Sequence, residues 1–253
     1  MVEKDDTGQT QQGEVDDCTL LNGLACCNLL SPYYSDDYVT IYHGDCGKIM
    51  PHLPKFDLLL TDPPYGLGEK WQGGKASTKA RWKLNDGGDA IDWDDDVPDM
   101  REILPIANKA IIWGGHLMGL EVSRGWLVWN KIIRNFSSGV CELAWTNLDC
   151  PIDAFDFSHG QLVHEGKQHP AQKPLTLMQW CIQKAGEIET IIDPFGGSGT
   201  TGLAGKNLGK KSVLIERDEK YCEIAAQRML QEVLPFNEPT KAHHEVQEEL
   251  FQR

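Results

Sequence analysis

The chain has 253 residues, about 40% of them hydrophobic and 8% aromatic, and a formal net charge of −14. That length suits one substantial core with short appendages, and the absence of a membrane-length apolar run or a basic-then-apolar leader points to a soluble, cytoplasmic protein with no membrane partner. So acidic a chain does not bind phosphates over its whole surface, and a nucleic acid would have to meet a local basic patch. The eight cysteines are scattered without a CxxC pair, which suggests neither a disulfide framework nor a metal site, and they read as reduced thiols, mostly in the core.

In chain order, residues 1–36 are acidic and lack sustained periodicity, the pattern of a mostly disordered arm, with a short apolar stretch over 20–30 that suits a turn of helix. Residues 37–232 alternate short apolar runs with amphipathic stretches, as a parallel sheet covered by helices requires. The runs predict strands over 39–42, 56–61, 110–113, 126–129, 190–192 and 212–215, with an edge strand near 142–147. Helices are predicted over 100–108, 174–185, 201–208 and 219–231. Residues 66–99 form a long loop rich in Gly, Lys and Asp. Within it Lys70, Lys75, Lys79, Arg81 and Lys83 interleave with Trp71 and Trp82, which suits either contact with DNA or a solvated lid. The acidic run 92–99 reads as solvated surface or a helix start. Residues 233–253 form an acidic tail.

Two segments carry chemistry. FDLLLTDPPYG at 56–66 is a buried strand that ends in a carboxylate, two prolines and an aromatic ring. Ligands of an open parallel sheet bind at that end of its strands, and the prolines make the turn rigid. An exocyclic amine on a base is a weak nucleophile, because its lone pair is delocalised into the ring. Acceptors for both its N–H groups are therefore needed, and the Asp62 carboxylate and Pro63 carbonyl are suited to this. Tyr65 is suited to stack on an extruded base. A strand-ending turn built of Asp and Pro is the plain alternative.

TIIDPFGGSGT at 190–200 runs from a buried strand through glycines into a helix. The glycines permit close backbone approach, and Glu216, at the end of the following strand, stands where an acidic side chain accepts ribose hydroxyls. Together they predict an adenosine-containing cofactor; no P-loop element is present.

With TDPPYG at 61–66, HPAQKP at 169–174, DPFGGSGT at 193–200 and ERD at 216–218 in that order, the chain resembles the DNA amino-methyltransferases of the permuted class, over roughly residues 39–230. The resemblance implies an α/β fold, the Rossmann-like methyltransferase sheet of seven mostly parallel strands with helices on both faces, and S-adenosylmethionine as cofactor. It assigns Asp62, Pro63, Pro64 and Tyr65 to the catalytic turn, with Asp62 also beside the cofactor. Asp193, Phe195, Gly196, Gly197, Ser198, Gly199, Thr200 and Glu216 then line the cofactor, and Asp45 contacts its adenine. His169 and Lys173 close over its carboxylate end, although His169 suits a capping or core position equally well. The partner implied is double-stranded DNA with the target base flipped, and the family's habit of pairing admits a homodimer. Residues 134–168 leave room only for a minimal target-recognition segment.

The leading expectation is methylation of adenine N6. Cytosine N4 uses the same machinery, and RNA or a protein amide is a further alternative. A non-catalytic cofactor- or DNA-binding protein would be expected to show damage at Asp62, Tyr65 or the glycine turn, and these residues are intact.

Overall fold

The computed structural model describes residues 30–66, 97–132, 139–158 and 172–230. The chain divides into a first unit up to Ser31, of which only residues 30 and 31 are described, and a second beginning at Pro32; the fold below is that of the second. No helix among the described residues is long and apolar enough to cross a membrane.

Nine strands form one sheet: β1 (Tyr34–Ser35), β2 (Val39–His43), β3 (Phe56–Thr61), β4 (Ala107–Trp113), β5 (Trp126–Asn130), β6 (Cys141–Thr146), β7 (Asp153–Asp156), β8 (Thr190–Asp193) and β9 (Lys211–Glu216). Their order is β1-β2-β9-β8-β3-β4-β6-β5-β7. The central strands β2, β9, β8, β3 and β4 run parallel to one another, while β6 is antiparallel to both neighbours. The helices are α1 (Cys46–Ile49), α2 (Met100–Ile103), α3 (Leu175–Lys184), α4 (Thr200–Asn207) and α5 (Glu219–Leu230).

The period of two along β3 explains the layering. Leu58 and Leu60 face one side with Ile111, Trp113 and Ile191, where Leu177, Met178, Cys181 and Ile182 of α3 cover them. Leu59 faces the other side with Ala110, Ile112 and Ile192, packed by Met100 and Ile103, and Phe56 at the start of the strand joins this second cluster despite its even position. A third cluster joins Val39, Ile41 and Leu214 to Cys222, Ala225, Ala226 and Met229 of α5. Each fully buried Leu or Ile contributes about 1.5–3 kcal/mol.

The pairing of β3 with β8 matters most for function. After β3 the chain adds β4 on one side, whereas after β8 it adds β9 on the other. The seam between β3 and β8 is therefore a topological switch point, with the ligand crevice at the strands' C-terminal ends. Asp57 pins the seam at its far end, where its Oδ2 accepts from the backbone N–H groups of Glu189 and Thr190, each at 2.9 Å.

The sheet has nine strands where seven were expected. β1 lies inside the expected disordered arm; its two residues pair antiparallel with β2, Tyr34 opposite Ile41, a return too short to leave periodicity in sequence. β7 escaped notice because Asp153 and Asp156 interrupt its apolar character. β6 was expected at an edge and lies inside, between β4 and β5. The helix expected over 100–108 stops at Ile103 and becomes a 3-10 turn over Leu104–Ile106, because Pro105 has no N–H to continue it, and β4 begins directly afterwards. Residues 67–96, including the basic and tryptophan-bearing stretch, His169 and the tail from 231 onward lie outside the described residues.

Candidate active site

Two strand ends meet across the switch point. Thr61, the last residue of β3, donates its hydroxyl to Asp193 Oδ1 at 2.6 Å, and Asp193 ends β8. Asp193 Oδ2 accepts from the Thr201 hydroxyl at 2.6 Å, and Oδ1 also accepts from the Phe195 N–H at 3.1 Å. Burial pushes its carboxyl up to about 6, against these three bonds. The resemblance implied that Asp193 lines the cofactor. The structure places it 3% exposed beneath the turn, holding the turn's shape from below.

Above it, Phe195 to Gly199 form the glycine turn. A Cβ on Gly196 would come within 3.1 Å of Leu214 Cβ, close enough that β9 would have to give by a few tenths of an ångström, so the glycine lets the turn lie close on β9. Gly197 has φ +50, and the nearest atom to a Cβ there would be the Phe195 carbonyl oxygen at 4.0 Å. Glu216, at the end of β9, closes the turn from the side: Oε2 accepts from the Gly197 N–H and Oε1 from the Asp218 N–H, both at 2.8 Å. Burial raises its pKa. A carboxylate has about four lone-pair sites, so Glu216 keeps acceptor capacity for ribose hydroxyls.

Asp45 stands nearby, because Gly44, just past β2, donates its N–H to the Glu216 carbonyl at 2.9 Å. Asp45 is exposed and caps α1 by accepting from the Lys48 N–H at 3.2 Å. Ser198 and Thr200 are held from α5, where Arg228 donates to the Ser198 carbonyl at 2.6 Å and to the Thr200 hydroxyl at 3.0 Å. An open glycine backbone, a ribose-ready carboxylate and an exposed acid beside it form a donor and acceptor set that fits S-adenosylmethionine.

Asp62 follows Thr61 directly, and its side chain is 16% exposed. Its Oδ1 accepts a very short hydrogen bond from the Tyr65 hydroxyl. Its Oδ2 is 2.5 Å from Lys173 Nζ. The resemblance implied that Lys173 points to the cofactor's carboxylate end. Here its ammonium is turned to Asp62 and also reaches Glu142 Oε2 at 3.0 Å. Glu142 Oε1 in turn meets Lys131 Nζ at 2.7 Å. The Tyr65 ring lies over Gly114 at the end of β4, with Lys173 Nζ 5.9 Å from its centroid.

Of the residues expected to act, the structure thus gathers Asp45, Asp62, Pro63, Pro64, Tyr65, Lys173, Phe195, Gly196, Gly197, Ser198, Gly199, Thr200 and Glu216 at the C-terminal ends of the parallel strands. Sequence reasoning missed Glu142, Lys131, Gly114, Gln172 and Arg228. Gln172 was within reach, since it precedes Lys173 in HPAQKP; its Oε1 accepts from the Ser198 hydroxyl at 3.4 Å. Glu142 and Lys131 carry no motif, and only the third dimension joins them to Asp62.

The fold is that of the S-adenosylmethionine-dependent methyltransferases. M1.HpyAVI, solved in complex with SAM, aligns with a TM-score of 0.50 at 23% identity over 75% of this chain and 99% of its own. The PvuII DNA methyltransferase, described as cytosine-N4-specific, aligns with a TM-score of 0.53 at 15% identity over 86% and 93%. Residues 118–227 match the N6/N4 family model described as DNA methylase. The Type II methyltransferase M2.LlaDCHI of Lactococcus lactis subsp. cremoris is 24% identical over 250 residues, covering 79% of this chain and 93% of the relative. Over these residues the chain is thus similar to DNA methylases of the N6/N4 kind and to Type II methyltransferases.

Proposed function

We propose that the protein methylates the N6 amino group of adenine in double-stranded DNA, with the target base flipped out of the duplex. The observation that carries this reading is the position of Asp62. It is a largely desolvated carboxylate at the C-terminal end of β3, across one seam from the glycine turn on β8. The match of residues 118–227 to a DNA methylase family and the likeness to Type II methyltransferases support DNA as the substrate. The aspartate that opens DPPY tilts the base toward adenine.

S-adenosylmethionine supplies a methyl group already activated on a sulfonium, so no metal and no covalent enzyme intermediate are needed. It would be held by the backbone of Phe195 to Gly197, by Glu216 and by Asp45. The protein's own contribution lies at the amine. Asp62 accepts one N–H and the Pro63 carbonyl the other, which draws electron density back to the nitrogen and favours a tetrahedral geometry. The prolines at 63 and 64 fix both acceptors in advance, so little reorganisation accompanies reaction. Tyr65 offers an aromatic face for the extruded base.

The test is transfer of label from radiolabelled S-adenosylmethionine to unmethylated duplex DNA by the protein and by Asp62→Ala. Label that the substitution abolishes supports the reading. Cofactor binding without label in any DNA contradicts it and redirects attention to RNA, a protein amide or a binding role.

A further inference from the structure

Four charged side chains form an unbroken chain behind the proposed acceptor: Asp62, Lys173, Glu142 and Lys131, joined at 2.5, 3.0 and 2.7 Å. Lys131 and Lys173 are 3% and 7% exposed, and Glu142 19%. Burying such groups costs several kcal/mol per ion unless every charge is paired, so an arrangement of this kind is not an idle surface feature. Glu142 lies on β6, the strand that runs against the sheet's direction and reaches the site from the side opposite the cofactor turn. Lys131 directly follows β5 and precedes Ile132, a non-glycine residue held at φ +52, a conformation that L side chains rarely adopt.

We infer that Glu142 is a positioning residue for methyl transfer: by drawing on the Lys173 ammonium, it keeps Asp62 basic enough to accept the amine's proton. The inference rests on the proposed role of Asp62. With Lys173 paired to Asp62 alone, the full attraction of one ammonium would fall on the acceptor and weaken it. Glu142 divides that attraction, and Lys131 compensates the charge of Glu142, so the four groups sum to zero. The charged and titratable groups around Asp62 are Lys173, Glu142 and Tyr65, with Asp193 at the end of β8; Cys181 on α3 lies in the field of Lys173. Burial raises the Asp62 pKa, and Glu142 adds to that rise while Lys173 opposes it. Burial would push Glu142 up as well, but Lys173 and Lys131 hold it down at about 2, so it is charged throughout the working range.

The test compares wild type, Glu142→Gln and the double variant Lys131→Met with Glu142→Gln. The double variant removes one charge of each sign, which protects against loss of folding through a stranded buried lysine. The titration of the Asp62 carboxyl is followed by carbon-13 NMR of labelled aspartates, assigned with Asp62→Asn. The acid limb of single-turnover methylation is followed in parallel. The expected result is that both midpoints move to lower pH in each folded variant, with the rate on the plateau falling about tenfold, part of the roughly 10²-fold or more that a positioned base contributes. Glu142 acting only as packing would lower stability and leave both midpoints in place; unmoved midpoints in the double variant overturn the inference. A protein that methylates no DNA while its Asp62 resonance still shifts would refute the proposed function and not the coupling.

Discussion

The ring of Tyr65 lies directly against Gly114: a Cβ on that glycine would sit 2.1 Å from Tyr65 Cε1 and 2.6 Å from Cδ1 and Cζ. Gly114 directly follows β4 with φ +70, so both its backbone and its missing side chain are required there. Gly114→Ala is expected to displace the tyrosine from its bond to Asp62. Displacement of about 1 Å at a reacting geometry costs roughly 10²-fold in rate. Calorimetry should meanwhile find cofactor affinity nearly unchanged, because the glycine turn lies on β8. A loss of affinity equal to the loss of rate would place Tyr65 in the cofactor pocket instead.

Glu216→Ala removes the carboxylate that clamps Gly197 and that is proposed to hold the ribose. Hydrogen bonds to a charged group contribute about 1.5–3 kcal/mol, so binding of S-adenosylmethionine should weaken by roughly 10- to 100-fold. The rate at saturating cofactor should fall much less. Equilibrium titration beside single-turnover rates separates the two effects.

Arg228 acts on the same turn from behind, through the Ser198 carbonyl and the Thr200 hydroxyl. Arg228→Met keeps the aliphatic packing and removes these bonds together with the one to the Ser198 hydroxyl. The expected outcome is a cofactor affinity about tenfold weaker, because a loosened turn passes on about 1.4 kcal/mol of the stabilisation these bonds supply, with the rate of the saturated enzyme retained. Unchanged affinity would mean that the turn keeps its shape without the arginine.

Asp193 gives a pH signature in stability. Its carboxyl titrates at about 6 in the folded protein and near 3.8 when unfolded. The folded state therefore holds the proton more tightly. This contribution is complete below about pH 4 and is lost as pH rises through 6, amounting to about 3 kcal/mol. Asp193→Asn does not titrate, so its stability relative to wild type should improve by about that amount between pH 4 and 7, whatever the constant cost of altered bonds to Thr61 and Thr201. Urea unfolding of both proteins across this range measures the difference, and a pH-independent gap would contradict the assignment.

Much of the central sheet was legible because its strands are continuous apolar runs and its longer helices carry periodic apolar faces. β3 was read with its observed ends, and α3, α4 and α5 to within a residue at each end. The edges were not, because β1 has two residues and β7 carries acids at both ends. The same division holds at the site. Residues within one turn, such as Asp62 and Tyr65 or Gly196 and Gly197, reveal themselves by spacing. Glu142 and Lys131 are linked to Asp62 through Lys173 only because β6 and β5 lie side by side in the sheet with β4, and no local pattern in sequence encodes that neighbourhood.

The most direct measurement of the central claim is the identity of the methylated nucleoside. Duplex DNA treated with the protein and S-adenosylmethionine is digested and separated by chromatography with mass detection. N6-methyladenine, absent when Asp62→Ala replaces the wild type, is the predicted result. N4-methylcytosine in its place would contradict the choice of base while preserving the role of Asp62, and no methylated nucleoside at all would contradict the account as a whole.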